Sequence, residues 1–367
     1  MRIFNVVNIV FYILIILSLL FSHIKESKET KKLYGILSFS IISILTVFRY
    51  TPQYADYASY RKEYSRASVM SFSDIGKSKS PAMFFCSKIL NKISDNPQTF
   101  FVFTGLFITI IIIRFMYKYS SNIYISIPAF WGMMYWSTSI NIVRQYMAIA
   151  LFLLAFDYLN KEKINKKEWI KIIILTIIAL LFHTSAITIL LGIIAIRLHI
   201  SDAAQISSVL KAGILCVAIS LGISIAYQSF YSRYDEVGSY GTEAASVFGL
   251  VIPLIIFVLA WSKRFDLIDK NYRNRFYINI SMFSLFFSII SVSGMLITAR
   301  IGAYFSIFSL VLIPEIMNTI FKKFYYKSRT SIFLIILIVY YGVLNYLGKV
   351  PLIYQMDYWI FGGIVQL

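Results

Sequence analysis

The sequence predicts an all-α, polytopic membrane protein with about twelve transmembrane helices, and three observations carry that prediction. Of the 367 residues, 59% are hydrophobic, against roughly 45–50% in a soluble domain. Only 14% are charged. Apolar runs of about 17–22 residues recur along the chain, which is the length that crosses a bilayer. The net charge of +18 is concentrated in short segments between those runs, as the positive-inside rule requires. Charge placed this way draws anionic headgroups. Nucleic acid would need a folded basic domain, and none is visible.

Helices are expected at residues 3–22, 33–49, 99–117, 123–140, 141–159, 169–182, 185–199, 209–226, 246–262, 276–297, 301–320 and 330–348, within a single transmembrane domain spanning 1–367. The first run, Ile3 to Phe21, has no A-x-A-like site after it and reads as a span and not as a signal peptide. "KESKETKK", "NKEKINKKE", "KRFDLIDKNYRNR" and "KKFYYKSR" fall on alternate connections. Assigning them to the cytoplasm orients every span and leaves both termini outside.

The longest outer segment is then 50–98, followed by 227–245. Within the first, "SPAMFFCSKILNKIS" offers Ser80 as a helix cap and Pro81 at the first helical position. Phe85, Cys86, Ile89, Leu90 and Ile93 share one side, with Lys88 and Lys92 opposite, which describes a helix lying in the membrane interface. Residues 169–199 are too few for two full spans, so two short helices are expected to meet at "FHTS", below the outer surface. Irregular backbone at that depth must be buried in protein or line a wet cavity. The pair 123–140 and 141–159 is also slightly short. Both features point to an outward-facing cavity.

"SINIVRQYMAIALF" places Arg144 in an apolar helix, with Asn141, Gln145 and Ala148 on the same face by helical spacing. Two readings stand: an arginine that snorkels or binds carbonyls, or an anion site. "GMLITARIGAYF" puts Arg300 at an outer turn with Tyr304 one turn later, while Ser284, Ser288 and Ser291 on the preceding helix read as close packing. Arg49 ends the second span, and Asp56 follows in "FRYTPQYADYASYRKEY" as a base or as a partner for Arg49 or Arg61. Tyr57, Tyr60 and Tyr64 come after it at helical spacing, as an interfacial belt or as a platform for sugar faces. His183 at the expected joint is either a satisfied structural group or a neutral imidazole that accepts a proton from an attacking hydroxyl. Arg233 and Asp235 lie in a second Tyr-rich outer loop, solvated or sugar-binding. Cys86 and Cys216 have no ligand-like spacing, so no disulfide or metal site is expected. No outer D-x-D pair, phosphate-cradling G-x-x-x-x-G-K-[ST] loop or G-x-S-x-G elbow occurs.

The order R-Y…D…Y, then "VRQYMAIALFLLAFDYLNKEK", "FHTSAITIL" and "ARIGAYFSIFSLVLIP", resembles the EpsG family of Wzy-like polysaccharide polymerases from about Arg49 to Pro314. The resemblance implies a membrane-embedded, GT-C-like glycosyltransferase in the bacterial plasma membrane, with its active site facing outside. It would join polyprenyl-pyrophosphate-linked oligosaccharide repeats into a capsule, exopolysaccharide or O-antigen. Lipid-linked donor and acceptor and membrane lipids would be its partners, with a chain-length regulator and a flippase as protein partners, and no cofactor or metal. Arg144, Arg300 and Arg49 would hold the pyrophosphate, and His183 or Asp56 would take the proton. Tyr57, Tyr60, Asn141, Gln145, Arg233, Asp235 and Tyr304 would hold sugar. The family carries a Gly shortly before the early acid, where this chain has Ala55, and this moves the base role towards His183. Guanidinium forks suit phosphate oxygens and stay charged, and they stabilise the negative charge that grows on a departing phosphate. A flippase or exporter of lipid-linked saccharide, or a glycan ligase, would use similar residues.

Overall fold

A computed structural model describes residues 6–50, 55–161, 163–197, 209–211, 213–218, 221–222, 248–292, 296–350, 355–358 and 363–366. The first elements are α1 (Val6–His23), α2 (Lys28–Val47), a short strand β1 (Arg49–Tyr50), α3 (Ala55–Val69), α4 (Phe72–Gly76) and α5 (Pro81–Asn91). Next come α6 (Gln98–Tyr119), α7 (Ile123–Gly132), α8 (Tyr135–Asn141), α9 (Val143–Leu159), α10 (Lys166–Phe182) and, after a 3-10 turn at Thr184–Ile187, α11 (Thr188–Arg197). The remainder is α12 (Phe248–Ser262), α13 (Arg264–Lys270), α14 (Asn274–Val292), α15 (Leu296–Ser306), α16 (Ser309–Ile320), α17 (Tyr326–Tyr346), β2 (Gln355–Tyr358) and β3 (Gly363–Gln366).

The fold is all-α apart from one small antiparallel sheet in the order β1-β2-β3, with Arg49 opposite Met356 and Met356 opposite Val365. Helix periodicity cannot announce strands of two to four residues whose partners lie so far away in the chain. Among the described residues, five helices (α1, α2, α6, α14 and α17) are long and apolar enough to cross a membrane. The number rises to seven if the bent pairs α8–α9 and α15–α16 each count as one span. The expected helices at 123–140 and 301–320 are both interrupted, the first at Met133–Met134 and the second at residues 307–308. Met134 takes the left-handed conformation, with φ 67°.

Local chemistry sets several boundaries. Ser27 and Thr30 cap α2 reciprocally, at 3.1 and 2.8 Å. Asn165 and Glu168 do the same for α10, both at 3.0 Å. Each pair satisfies backbone N–H groups that the first helical turn leaves open. Pro81 starts α5 as expected, but Ser80 makes no side-chain capping bond. On α10, Ile170, Ile173, Ile174 and Ile177 are all exposed at i, i+3, i+4 and i+7. A wholly apolar exposed stripe suits lipid and would be a liability in water.

By packing, the chain forms two compact units, one of residues 1–158, 164–186 and 321–367, the other of 159–163 and 187–320. In the first, buried side-chain hydrogen bonds tie helices distant in sequence. Tyr341 donates to Asn8 at 2.8 Å, Asn122 to Thr330 at 2.9 Å, and the Ser18 and Tyr34 hydroxyls meet at 2.6 Å. Phe11 stacks on Tyr341 at 3.9 Å. Interhelical polar contacts of this kind each contribute about 0.6–2 kcal/mol in a membrane. Tyr341→Phe keeps the stacking and loses only the hydroxyl, so thermal unfolding in detergent should show a loss within that range.

The segment between α2 and α6 folds on itself. Ala67, Met70, Ile75 and Phe84 form its small core. Asn91 donates to Tyr64 O at 2.9 Å, and Tyr64 Oη donates to Ser94 O at 2.6 Å. Lys88 was expected on a solvated side, but its ammonium reaches back to Met70 O at 2.7 Å and closes the end of α3. Phe85 and Ile89 of α5, and Ile93 just beyond it, are exposed.

In the second unit, α14 is largely enclosed, and Phe287 stacks on Phe305 of α15 at 5.7 Å. Ser288 and Ser291 turn their hydroxyls onto carbonyls of their own helix, at 2.9 and 2.7 Å, which frees the helix face for close packing. Glu315, on α16, is buried and pairs with Lys270 at 3.2 Å.

Candidate functional site

Arg144 does not sit inside a continuous helix. Helix α8 ends at Asn141, the chain turns through 120°, and α9 begins at Val143. Asn141 therefore lies across the bend from Arg144 and not on one helical face with it. Arg144 is the second residue of a 17-residue helix. The first turn of a helix presents open N–H groups and the positive end of the dipole, a setting that favours anions. The far end of α9 is fixed by Asp157, which accepts from Arg114, from Lys118 at 2.9 Å and from Tyr119 at 2.5 Å.

Helix α3 lies against this turn and supplies the other half of the cluster. The Arg144 guanidinium lies over the Tyr60 ring, 5.3 Å from its centroid, and its Nη1 is 3.5 Å from Glu63 Oε1. Asp56, one turn before Tyr60, acts electrostatically on both Arg144 and Glu63. Burial pushes the Glu63 carboxyl above its ordinary range; Arg144 works against that shift and Asp56 adds to it. Burial likewise pushes the Tyr60 phenol up to about 12. Glu63 Oε2 and Asn141 Oδ1 are buried and make no full hydrogen bond among the described residues, although the Ser59 hydroxyl helps to hold the Glu63 carboxylate. A buried carboxylate oxygen beside an arginine is an acceptor that an O–H donor would satisfy.

Sequence reasoning missed Glu63. Its signal is there: Asp56, Tyr60 and Glu63 fall at i, i+4 and i+7, on one face of α3. The tyrosine stripe beside it drew the eye instead, and that stripe is packing. Tyr57 is 3% exposed and stacks on Phe101 at 4.6 Å; Tyr60 is 2% exposed against Phe100 and Phe101. Neither ring has an open face for a sugar, and Tyr60 offers Arg144 both a surface beneath its guanidinium and a hydroxyl partner.

Arg49 is also built into the structure. It is 1% exposed, donates to Thr46 O at 2.7 Å and lies 4.8 Å from the Phe101 centroid. Gln98 donates to Val47 O at 2.6 Å and to Arg49 O at 3.1 Å. Together they satisfy carbonyls that the end of α2 leaves open and place a cation at its negative end. A guanidinium so enclosed holds the scaffold of the site.

Gln145 is buried, whereas Asn141 is half-buried. His183 forms the C-cap of α10, at the joint where the sequence placed it. Ser185 donates to its Nδ1 from the backbone N–H at 3.2 Å, and the Ser185 hydroxyl lies 2.6 Å from the same nitrogen. A backbone N–H can only donate, so Nδ1 is an acceptor and the ring proton belongs on Nε2. In this tautomer Nε2–H is the donor of the ring and Nδ1 is already engaged by Ser185, which does not suit taking a proton through Nδ1. Arg300 and Tyr304 lie on α15 in the second unit, Arg300 exposed and Tyr304 fully buried. Arg233 and Asp235 lie outside the described residues.

No curated protein and no solved structure matches the chain. The EpsG family does match, over residues 32–355, a span that holds the bend, Arg144, Glu63 and the His183 joint. The chain belongs to the EpsG family, which places it in exopolysaccharide biosynthesis.

Proposed function

We propose that this protein is a polymerase of polyprenyl-pyrophosphate-linked oligosaccharide repeats, a GT-C-like glycosyltransferase working at the outer face of the bacterial plasma membrane. The observation that carries the reading is Arg144 at the start of α9, loosely paired with Glu63 3.5 Å away. Donor pyrophosphate binds the guanidinium at the positive end of that helix, in a cavity between helices that faces outward. As the glycosidic bond to pyrophosphate breaks, Arg144 stabilises the growing negative charge. Asp56 sets the field around the pair, and Asn141 orients a sugar hydroxyl.

The reading is tested by the lipid-linked glycans of cells lacking the protein. Single lipid-linked repeats should accumulate. Complete, undelivered polymer would sink the polymerase reading in favour of a ligase or exporter.

A pH dependence follows from Glu63. Its carboxyl is held above the ordinary carboxylate range by burial, with Arg144, Asp56 and Arg66 the charged groups around it. If the ionised form is the working one, polymerisation falls as pH drops through that raised value and levels off above it. A pH–rate profile of purified protein checks this, and Glu63→Gln should remove the acid limb.

A further inference from the structure

The geometry points to Glu63 as the proton acceptor for the attacking hydroxyl, engaged by Arg144 until a donor pyrophosphate draws the guanidinium away. This rests on the reading of Arg144 as the phosphate-binding group.

Three observations carry it. The Arg144–Glu63 separation of 3.5 Å exceeds the roughly 2.7–2.9 Å of a charge-assisted hydrogen bond, so the pair is in place but not closed. Both side chains are partly exposed, at 25% and 22%, and a pair of that kind contributes only about 0.2–1 kcal/mol. A pyrophosphate offers a guanidinium more charge and a bidentate fit, and wins that exchange. Thirdly, Glu63 Oε2 is buried and makes no full hydrogen bond among the described residues, with the Ser59 hydroxyl one turn earlier on α3 as the carboxylate's local O–H neighbour.

The exchange imposes an order. While Arg144 stays on Glu63, its positive charge lowers the carboxylate's affinity for a proton. Once the donor has taken Arg144, the carboxylate becomes the stronger base, at the moment a leaving group is in place. The acceptor hydroxyl oxygen then attacks the anomeric carbon of the donor. The bond from that carbon to the pyrophosphate oxygen breaks, and its electron pair departs with the pyrophosphate. The hydroxyl proton passes to Glu63 Oε2, and the step balances with no further reactant. Without a donor the base stays weak, which protects the site from idle deprotonation.

The test measures calorimetric binding of inorganic pyrophosphate to the full chain in nanodiscs, alongside elongation of purified lipid-linked repeat. Glu63→Gln removes the competitor for Arg144, so pyrophosphate should bind about two- to fivefold tighter while elongation drops about 100-fold or more. Glu63→Asp keeps a carboxylate and should retain measurable elongation, which guards against a folding failure in the glutamine variant. If Glu63 merely positions Arg144, Glu63→Gln weakens pyrophosphate binding, and the proposal is overturned. Tighter binding with unchanged elongation overturns the base role. Arg144→Ala should abolish pyrophosphate binding; unchanged binding there overturns the phosphate reading itself, an outcome distinct from the other two.

Discussion

Arg144→Ala is expected to reduce elongation of a purified lipid-linked repeat by about 100- to 1000-fold, the usual cost of removing one preorganised group that stabilises transition-state charge. The fold should survive, because the lost ion pair is about a quarter exposed on each side and long at 3.5 Å, and such a pair contributes about 1 kcal/mol or less. Arg144→Lys keeps the charge but loses the planar fork, and should fall between wild type and alanine. The readout is the chain-length distribution on a gel, at matched protein level in the same membrane mimic. Normal chain length in the alanine variant would remove Arg144 from the chemistry. The loss should also persist at saturating donor, since the interaction is strongest once the bond has begun to break.

The largest structural effect is expected at Gly105. A Cβ built there would stand 2.6 Å from Thr46 Cγ2 and 3.1 Å from Arg49 Nη1. Neither neighbour is free to yield. Thr46 Oγ1 donates to Ile42 O at 2.7 Å and accepts from Trp136 Nε1 at 2.8 Å, while Thr46 O holds the Arg49 guanidinium. Gly105→Leu should therefore push α6 off α2 and cost about 1–3 kcal/mol or more, with Gly105→Ala at the low end. Gly342 on α17 is the control, because a Cβ there meets nothing within 4 Å. Thermal unfolding in detergent should show a clear loss for Gly105→Leu and none for Gly342→Ala. Equal behaviour of the two would show that the α2–α6 contact tolerates a side chain.

Composition and charge spacing were enough to place this chain in a membrane, and the joint at "FHTS" followed from arithmetic on span length. The boundary expected between residues 140 and 141 is the bend at Ile142, so Arg144 near a helix start was legible from span lengths, while the break at Met133–Met134 did not announce itself. What span counting could not fix was the exact residue of the bend. A shift of two positions is enough to move Asn141 off the face of Arg144. The tyrosines misled for another reason. An aromatic stripe on an amphipathic helix reads alike whether it faces sugar or the next helix, and only the rings of Phe100 and Phe101 decide it. Arg49 likewise resembled a ligand arginine until its carbonyl partner appeared. Glu63 could be recognised only once Arg144 was found beside it, since one charge among "YRKEYSR" carries no label of its own.

The contacts that close the first unit also bear on its biogenesis. Asn8 meets Tyr341 across 333 positions of chain, and Asn122 meets Thr330 across 208. Helices α1 and α7 are thus inserted long before α17 is synthesised, with polar side chains that must wait in lipid. Strand β1 waits as well, for partners at Gln355 and Met356. Such long-range closure is slow and leaves the early helices exposed to mispairing during translation. Maturation of this protein should thus be a late, post-insertional event, and its yield in cells should depend more on insertase and chaperone supply than on the strength of any one contact.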